Sequence, residues 1–74
     1  MDEAFETIVN VIEEVTDIPA EDIDISNSLI DDLDLSSIEI MSVVSELEKE
    51  FSKKLGENDL LEIATVQDLV DFFE

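Results

Sequence analysis

Three separate segments of this chain carry apolar residues at the three-and-four spacing of a single helix face. The first segment predicts a helix from about residue 3 to residue 16, with Asp2 available as its N-cap. The second predicts a helix from about Ser37 to Phe51, and the third predicts a helix that follows Thr65 as N-cap and Asp68 as its capping-box partner. Isolated helices shorter than about 12–15 residues are marginal in water, so the three apolar faces must form one shared core. The residues of these faces are Phe5, Ile8, Val9, Ile12 and Val15, then Ile40, Val43, Val44, Leu47 and Phe51, and finally Val66, Leu69, Val70 and Phe73.

The length of the chain sets its organisation. With 74 residues we expect a single domain, residues 1–74, because one hydrophobic core typically serves roughly 100–150 residues. The predicted fold class is all-α: a small acidic bundle of three main helices, with one short helix before the last and a long first loop. The short helix is predicted near Leu60, Leu61 and Ile63, and Gly56 is interpreted as the terminator of the helix that precedes it.

The segment from Asp17 to Leu35 is long for a connection in a compact domain, which indicates either a function or apolar anchors. A single helical turn is expected after Pro19. Strand-like alternation occurs only at Ile23-Asp24-Ile25, which is too short to support a sheet. The residues that can tie this loop to the core are Ile18, Ile23, Ile25, Leu29, Ile30, Leu33 and Leu35.

The charge of the chain limits its partners and chemistry. Lys and Arg number 3 against 22 Asp and Glu, a formal net charge of −19, yet 45% of the residues are hydrophobic, which is too apolar for a disordered chain. A polyanion repels nucleic acid, so we expect partners with Lys- or Arg-lined surfaces, and repulsion between copies favours a monomer. The chain has no Cys and no His, which excludes disulfides, thiolate zinc sites and the commonest proton shuttle. No apolar run long enough to span a membrane and no secretory signal is seen, so the cytoplasm is the expected compartment.

The start of the second predicted helix holds an S-x-x-E capping box, formed by Ser36 and Glu39. This pattern places Ser37 at the first helical position, beside unpaired backbone N–H groups at the positive end of the helix dipole. A phosphate attached to Ser37 would be electrostatically favoured there. A capped helix that merely begins with two polar residues explains the same pattern.

Two apolar residues of this helix, Ile38 and Met41, point away from its apolar face, on the side that carries Ser42 and Ser45. An exposed apolar pair beside the helix start predicts a small docking surface. The alternative is that Ile38 packs against Leu35 or the long loop.

The stretch from Ser36 to Phe51 and the segment from Ala64 to Asp68 carry a resemblance to a known family. Ser36-Ser37-Ile38 stands where that family opens its second helix with Asp-Ser-Leu, and an acidic apolar run then leads to Phe51. The segment from Ala64 to Asp68 looks like the entry of the family's fourth helix. On these residues the whole chain resembles the acyl carrier proteins, small acidic helical bundles that carry acyl chains as thioesters on a 4′-phosphopantetheine arm attached to serine.

The resemblance implies a carrier and not an enzyme, with the arm transferred from coenzyme A to Ser37. The implied partners are a phosphopantetheinyl transferase and the enzymes that load and process acyl groups in fatty acid or specialised lipid or polyketide biosynthesis. The resemblance also implies that acyl chains can insert between the helices, where Val15, Val43, Val44 and Val70 could line a tunnel, although ordinary core packing explains these valines equally well. The residues expected to bind partners are Asp34, Ser36, Ile38, Glu39, Met41, Ser45, Glu46 and Glu48.

The chain departs from the family pattern at three positions. Ser36 stands where an Asp is usual, and Ser42 and Lys49 stand where acids are frequent. These changes weaken acidic recognition, so a dedicated pathway is as well supported as general fatty acid synthesis. An aminoacyl or peptidyl carrier is one alternative.

An acidic interaction module that mimics nucleic acid is an alternative of a different class, since it needs charge but no particular serine. A calcium loop is a further candidate, but Asn27 stands where the sharp turn requires Gly, and Leu33 stands where a bidentate Glu should close the site. Only diffuse divalent binding to the acidic loop is expected. The residues that imitate the alternating calcium ligands are Asp22, Asp24, Ser26 and Ser28.

Overall fold

The computed structural model describes residues 3–73, which form four α-helices joined by loops. The helices are α1 (Glu3–Thr16), α2 (Ser37–Phe51), α3 (Glu57–Glu62) and α4 (Val66–Phe73), and a single 3₁₀ turn, Ala20–Asp22, lies between α1 and α2. Within residues 3–73 there is no β-strand, only one isolated antiparallel bridge between Ser28 and Thr65. The predicted all-α fold with a short helix before the last is confirmed. The predicted N-cap Asp2 lies outside the described residues.

The core is built from one face of each of the three longest helices, and α1 packs against both α2 and α4. The apolar spacing predicted this face correctly, and Ala4 and Val11 add to it. Phe51 and Phe73 join the ends of α2 and α4, because their rings stack with centroids 5.2 Å apart. The fully buried side chains of the core are Ile8, Ile12, Leu29, Val43, Leu47, Val66, Leu69 and Val70.

The long first loop is anchored as predicted at six of its seven apolar positions. Ile23, Leu29 and Leu35 are buried in the core, and the half-buried anchors that pack against it are Ile18, Ile25 and Leu33. The prediction was wrong for Ile30, whose side chain is 61% exposed. Leu29 takes the core position at the start of the turn, and the next residue of the turn therefore points outward.

Backbone hydrogen bonds fasten this loop to the start of α4. The Leu29 N–H donates to the Ala64 carbonyl at 2.9 Å, and the Val66 N–H donates to the Asn27 carbonyl at 3.0 Å. The Leu35 N–H donates to the Leu29 carbonyl at 3.0 Å, so the segment that leads into α2 is held by the same loop.

The end of α2 differs from the prediction. Ser52, not Gly56, terminates the helix, with φ 52° and ψ 43° in the left-handed region, and its N–H donates to the Glu48 carbonyl. Gly56 has a negative φ of −84° and is the N-cap of α3, where its N–H donates to Asp59 Oδ2 at 3.1 Å. A single left-handed residue is enough to satisfy the last carbonyls of a helix, and serine can adopt that conformation at modest cost.

The start of α4 is closed by the predicted capping box. The Asp68 N–H donates to Thr65 Oγ1 at 3.1 Å, and Asp68 Oδ2 accepts from the N–H groups of Ala64 at 2.9 Å and Thr65 at 3.1 Å. The hydrogen bond from Ala64 holds the pKa of the Asp68 carboxyl below its usual value, against the opposing effect of partial burial, and the bonds with Thr65 act in the same direction as that from Ala64.

Candidate functional site at the start of α2

The capping box at the start of α2 is formed as predicted. Ser36 is extended, with φ −79° and ψ 166°, and its Oγ accepts from the Glu39 N–H at 3.2 Å. In return Glu39 Oε1 accepts from the Ser36 N–H at 2.9 Å. Two backbone groups that a helix start would otherwise leave unpaired within the chain are thereby satisfied, and α2 begins at Ser37.

The Ser37 hydroxyl is exposed, and the chain just before it is anchored in the core. Within residues 3–73 this hydroxyl has no hydrogen-bond partner. Leu35, two residues earlier, is only 5% exposed and fixes the chain in the core. Asp34 lies between the loop and this anchor with φ 56°, a left-handed conformation that Asp tolerates better than most residues.

Ile38 and Met41 form an exposed apolar pair, as predicted, with 79% and 52% of their side chains exposed. Ile38 therefore does not pack against the long loop. Together with Ser37, Ser42 and Ser45 they line an open depression of about 460 Å³ on the outer face of α2. This depression begins at the free hydroxyl and runs along the helix.

The acidic residues expected to contact partners lie along the same helix, but each has a contact within the chain. Glu39 belongs to the capping box, and Glu48 Oε2 accepts from the Leu55 N–H at 2.7 Å. Glu46 Oε1 lies 3.7 Å from Lys49 Nζ in an exposed ion pair. The Glu48 contact depends on the path of the loop after α2, so the helix pattern alone did not predict it.

A cationic surface adjoins the apolar pair, and its lysines are not among the residues predicted to bind partners. A second depression of about 370 Å³ shares Ser45 with the first and lies over the end of α2. Its lining residues are Ser45, Glu48, Lys49, Ser52, Lys53 and Lys54. The signal was present in the sequence, because the only three Lys or Arg residues of the chain all fall within residues 49–54.

Three further points of the sequence analysis concern a tunnel lined by valines, metal binding and membrane spans. Val43, Val44 and Val70 are buried members of the core, and Val15 is half-buried against it, which is what ordinary packing requires. Across residues 3–73, no cluster of three or more possible ligands is arranged to hold a metal ion. No helix in that range is long and apolar enough to cross a membrane.

Comparison with known families decides what this site belongs to. The model of the family described as "Phosphopantetheine attachment site" matches residues 6–73, nearly the whole chain. The chain belongs to the acyl carrier protein family. Its cofactor is 4′-phosphopantetheine, and the resemblance found at Ser36-Ser37-Ile38 is confirmed at the level of the family.

Individual acyl carrier proteins are also similar in sequence to this chain. The acyl carrier protein of Micrococcus luteus is 31% identical over 67 residues, which cover 90% of this chain and 83% of the relative. That of Myxococcus xanthus is 32% identical over 65 residues, covering 88% and 82% of the two chains. The meromycolate extension acyl carrier protein of Mycobacterium leprae is 33% identical over 67 residues, covering 90% of this chain and 58% of the relative.

The residues at the start of α2 fit the cofactor. A covalent phosphate ester requires an accessible hydroxyl, and Ser37 has one that no neighbour engages. The first N–H groups of α2 provide a favourable surrounding for the negative charge of that ester.

Proposed function

We propose that this chain carries acyl intermediates as thioesters on a 4′-phosphopantetheine arm attached to Ser37. It presents them to partner enzymes of fatty acid biosynthesis or of a specialised lipid or polyketide pathway. One observation carries the choice of serine: the Ser36 hydroxyl accepts from the Glu39 N–H, whereas the adjacent Ser37 hydroxyl is exposed and without a partner. Modifying Ser36 would break the capping box, and modifying Ser37 breaks nothing.

The chain's own residues attach, hold and present the group. The Ser37 oxygen attacks the phosphorus that bears the pantetheine group of coenzyme A, the diphosphate bond breaks, and adenosine 3′,5′-bisphosphate leaves. The serine proton passes to a base of the transferase. Leu35, buried and hydrogen-bonded to Leu29, keeps the attachment point in place relative to the core. When bound, the arm supplies a thiol for the thioester, a chemistry that a chain without cysteine lacks. The chain thus acts as a carrier, and the catalytic groups belong to its partners.

The proposed partners are a phosphopantetheinyl transferase and acyl-loading and acyl-processing enzymes. Ile38 and Met41 supply apolar contact, since they are exposed beside Ser37. With a net charge of −19, the chain attracts surfaces that carry cations and repels other copies of itself, so we expect a monomer. The residues proposed to contact partners are Asp34, Ser36, Ile38, Glu39, Met41, Ser45, Glu46 and Glu48.

The test is modification in vitro followed by intact-mass measurement. The chain is incubated with coenzyme A and a broad-specificity phosphopantetheinyl transferase, and we expect it to gain the mass of one arm. Ser37→Ala should gain nothing, whereas Ser26→Ala, which alters an exposed serine of the first loop outside the docking surface, should gain one arm as the original chain does. An acidic nucleic-acid mimic would gain no mass, and that outcome, or a Ser37→Ala chain that is still modified, would overturn the proposal.

A further inference from the structure

We propose that the outer face of α2 is a docking surface whose two ends differ in charge and that it thereby fixes the direction in which a partner enzyme binds. We call it the bipolar surface: acidic residues precede its apolar pair, Ile38 and Met41, and the lysines Lys49, Lys53 and Lys54 lie at its other end. The partner places an apolar patch over Ile38 and Met41 and carboxylates over Lys49, Lys53 and Lys54. This inference rests on the proposed function, because the partner is an enzyme that acts on the group carried at the start of α2.

Covering the apolar half of this surface requires little desolvation of polar groups. Ile38 and Met41 are exposed, and between them and the end of the helix the face carries the hydroxyls of Ser42 and Ser45. No ionised side chain lines this depression, so a partner that covers it displaces water from apolar surface without stripping the hydration shell of a charge.

The cationic half lies at a defined distance along the same helix. Lys49 follows Ile38 by eleven residues, which at the rise of an α-helix is about 16 Å. Lys53 is already ordered, because its Nζ donates to the Phe72 carbonyl at 2.7 Å and lies 5.0 Å from the centroid of the Phe72 ring. Part of the entropy cost of ordering this charge in a complex is therefore met before the partner arrives.

The acids of α2 neutralise this end only in part. Glu46 pairs with Lys49, and Glu48, which lines the same depression as the lysines, accepts from the Leu55 N–H. Glu50, the third acid at this end, lines a separate depression beside residues of α1, and Lys53 and Lys54 have no ion pair among the described residues. The lining of this depression thus holds three lysines and one glutamate, a local excess of cations in a chain whose net charge is −19, and carboxylates of a partner complement it.

The opposite end of α2 carries the reverse sign. Asp31, Asp32 and Asp34 precede the helix and are all exposed, and this segment contains no Lys or Arg. A partner with cations near the arm and carboxylates about 16 Å further along is complementary in one orientation only, because the reversed orientation opposes like charges at both ends. The arm then always enters the partner from the same side.

The test is a charge exchange that needs no arm. The full chain carrying Ser37→Ala is titrated by calorimetry with an acyltransferase that has a cationic docking surface. It is titrated in parallel with a variant of that enzyme in which the docking cation facing the end of α2 is replaced by Glu. We expect the chain to bind the Glu-bearing enzyme about three- to tenfold more tightly, and Lys49→Glu to reverse this preference, since exposed ion pairs are individually weak.

A matched control separates position from net charge. Asn10→Glu combined with Asn58→Glu changes the net charge by the same two units as Lys49→Glu, at exposed positions outside the docking surface. The control should keep the preference of the parent chain. Equal affinity for both enzymes, or a reversal by the control as large as that by Lys49→Glu, would refute the bipolar surface.

Two further outcomes have distinct meanings. Sedimentation of the chain alone as a dimer that Lys49→Glu dissociates would assign the lysines to a second copy and overturn the inference. If Ser37 takes no arm while the charge exchange succeeds, the proposed function fails and the docking surface stands. If Ser37 takes the arm and the exchange fails, the reverse holds.

Discussion

Two adjacent serines at the start of α2 should respond in opposite ways to replacement by alanine. Ser36→Ala removes the acceptor that the Glu39 N–H uses at 3.2 Å, and that donor is then left to water. The reciprocal bond from the Ser36 N–H to Glu39 Oε1 remains, because it uses the backbone. Loss of a serine N-cap costs about 0.5–2 kcal/mol, and because this site is exposed we expect a loss of about 1 kcal/mol.

Ser37→Ala should leave the free energy of unfolding unchanged or slightly raise it. The hydroxyl that it removes is exposed and has no partner among the described residues. Alanine also has a higher helix propensity than serine, which adds up to about 0.5 kcal/mol. Ser37→Ala, the variant proposed to prevent loading of the arm, is therefore expected to be at least as stable as the original chain.

The assay is urea unfolding followed by far-ultraviolet circular dichroism. With an m-value of about 1 kcal/mol/M for a chain of this size, Ser36→Ala should lower the midpoint by about 1 M at unchanged m, and the thermal midpoint by about 4–8 °C. Ser42→Ala serves as the exposed mid-helix control. If Ser37→Ala lost more stability than Ser36→Ala, the assignment of the two hydroxyls to capping and to modification would be wrong.

Four further predictions concern the core and the helix ends. Leu47→Ala, at a position with 0% exposure, should lower the free energy of unfolding by about 2–5 kcal/mol in the same assay, and a loss under 1 kcal/mol would contradict its burial. Ser52→Gly should raise it by about 0.5–1 kcal/mol, because glycine adopts the left-handed conformation at this position without strain; a decrease would argue against that conformation. Asp68→Ala should lower the free energy of unfolding by about 1 kcal/mol at pH 7, because it removes the acceptor for the N–H groups of Ala64 and Thr65. Because the pKa of Asp68 is lower in the folded chain than its usual 3.8, this cost should persist above that value and vanish as the pH falls through the folded pKa; a cost independent of pH would exclude the carboxylate as its source. Lys53→Met should lower the melting temperature by a few degrees, since it removes the donor to the Phe72 carbonyl, and no change would show that this bond contributes nothing.

Local interactions made much of this protein predictable. The bounds of α2 follow from apolar spacing and from a capping box whose partners are three residues apart, and the structure has them from Ser37 to Phe51. Helix geometry also explains why the exposure of Ile38 and Met41 could be predicted, since residues off the apolar face of a packed helix point to solvent. The candidate attachment site was accessible to sequence reasoning for the same reason.

The errors and omissions arose where the deciding partner is distant in sequence or where a turn chooses between neighbours. Leu29 is buried in the core, and the adjacent Ile30, which was expected there too, is exposed. Ser52 ends α2, and Gly56 is instead the N-cap of α3. Apolar content shows that a segment can be buried, but packing decides which side chain of a turn enters the core.

The amino-acid sequence by itself determined the three main helices, their common core and the accessible serine at a capped helix start, because these depend on contacts three or four residues apart. Only the tertiary structure decided how the first loop is held. The Leu29 N–H donates to the Ala64 carbonyl, 35 residues away along the chain. Lys53 Nζ donates to the Phe72 carbonyl in the last turn of α4, 19 residues away. Such contacts form only when the packed core has brought the segments together, so no local pattern encodes them.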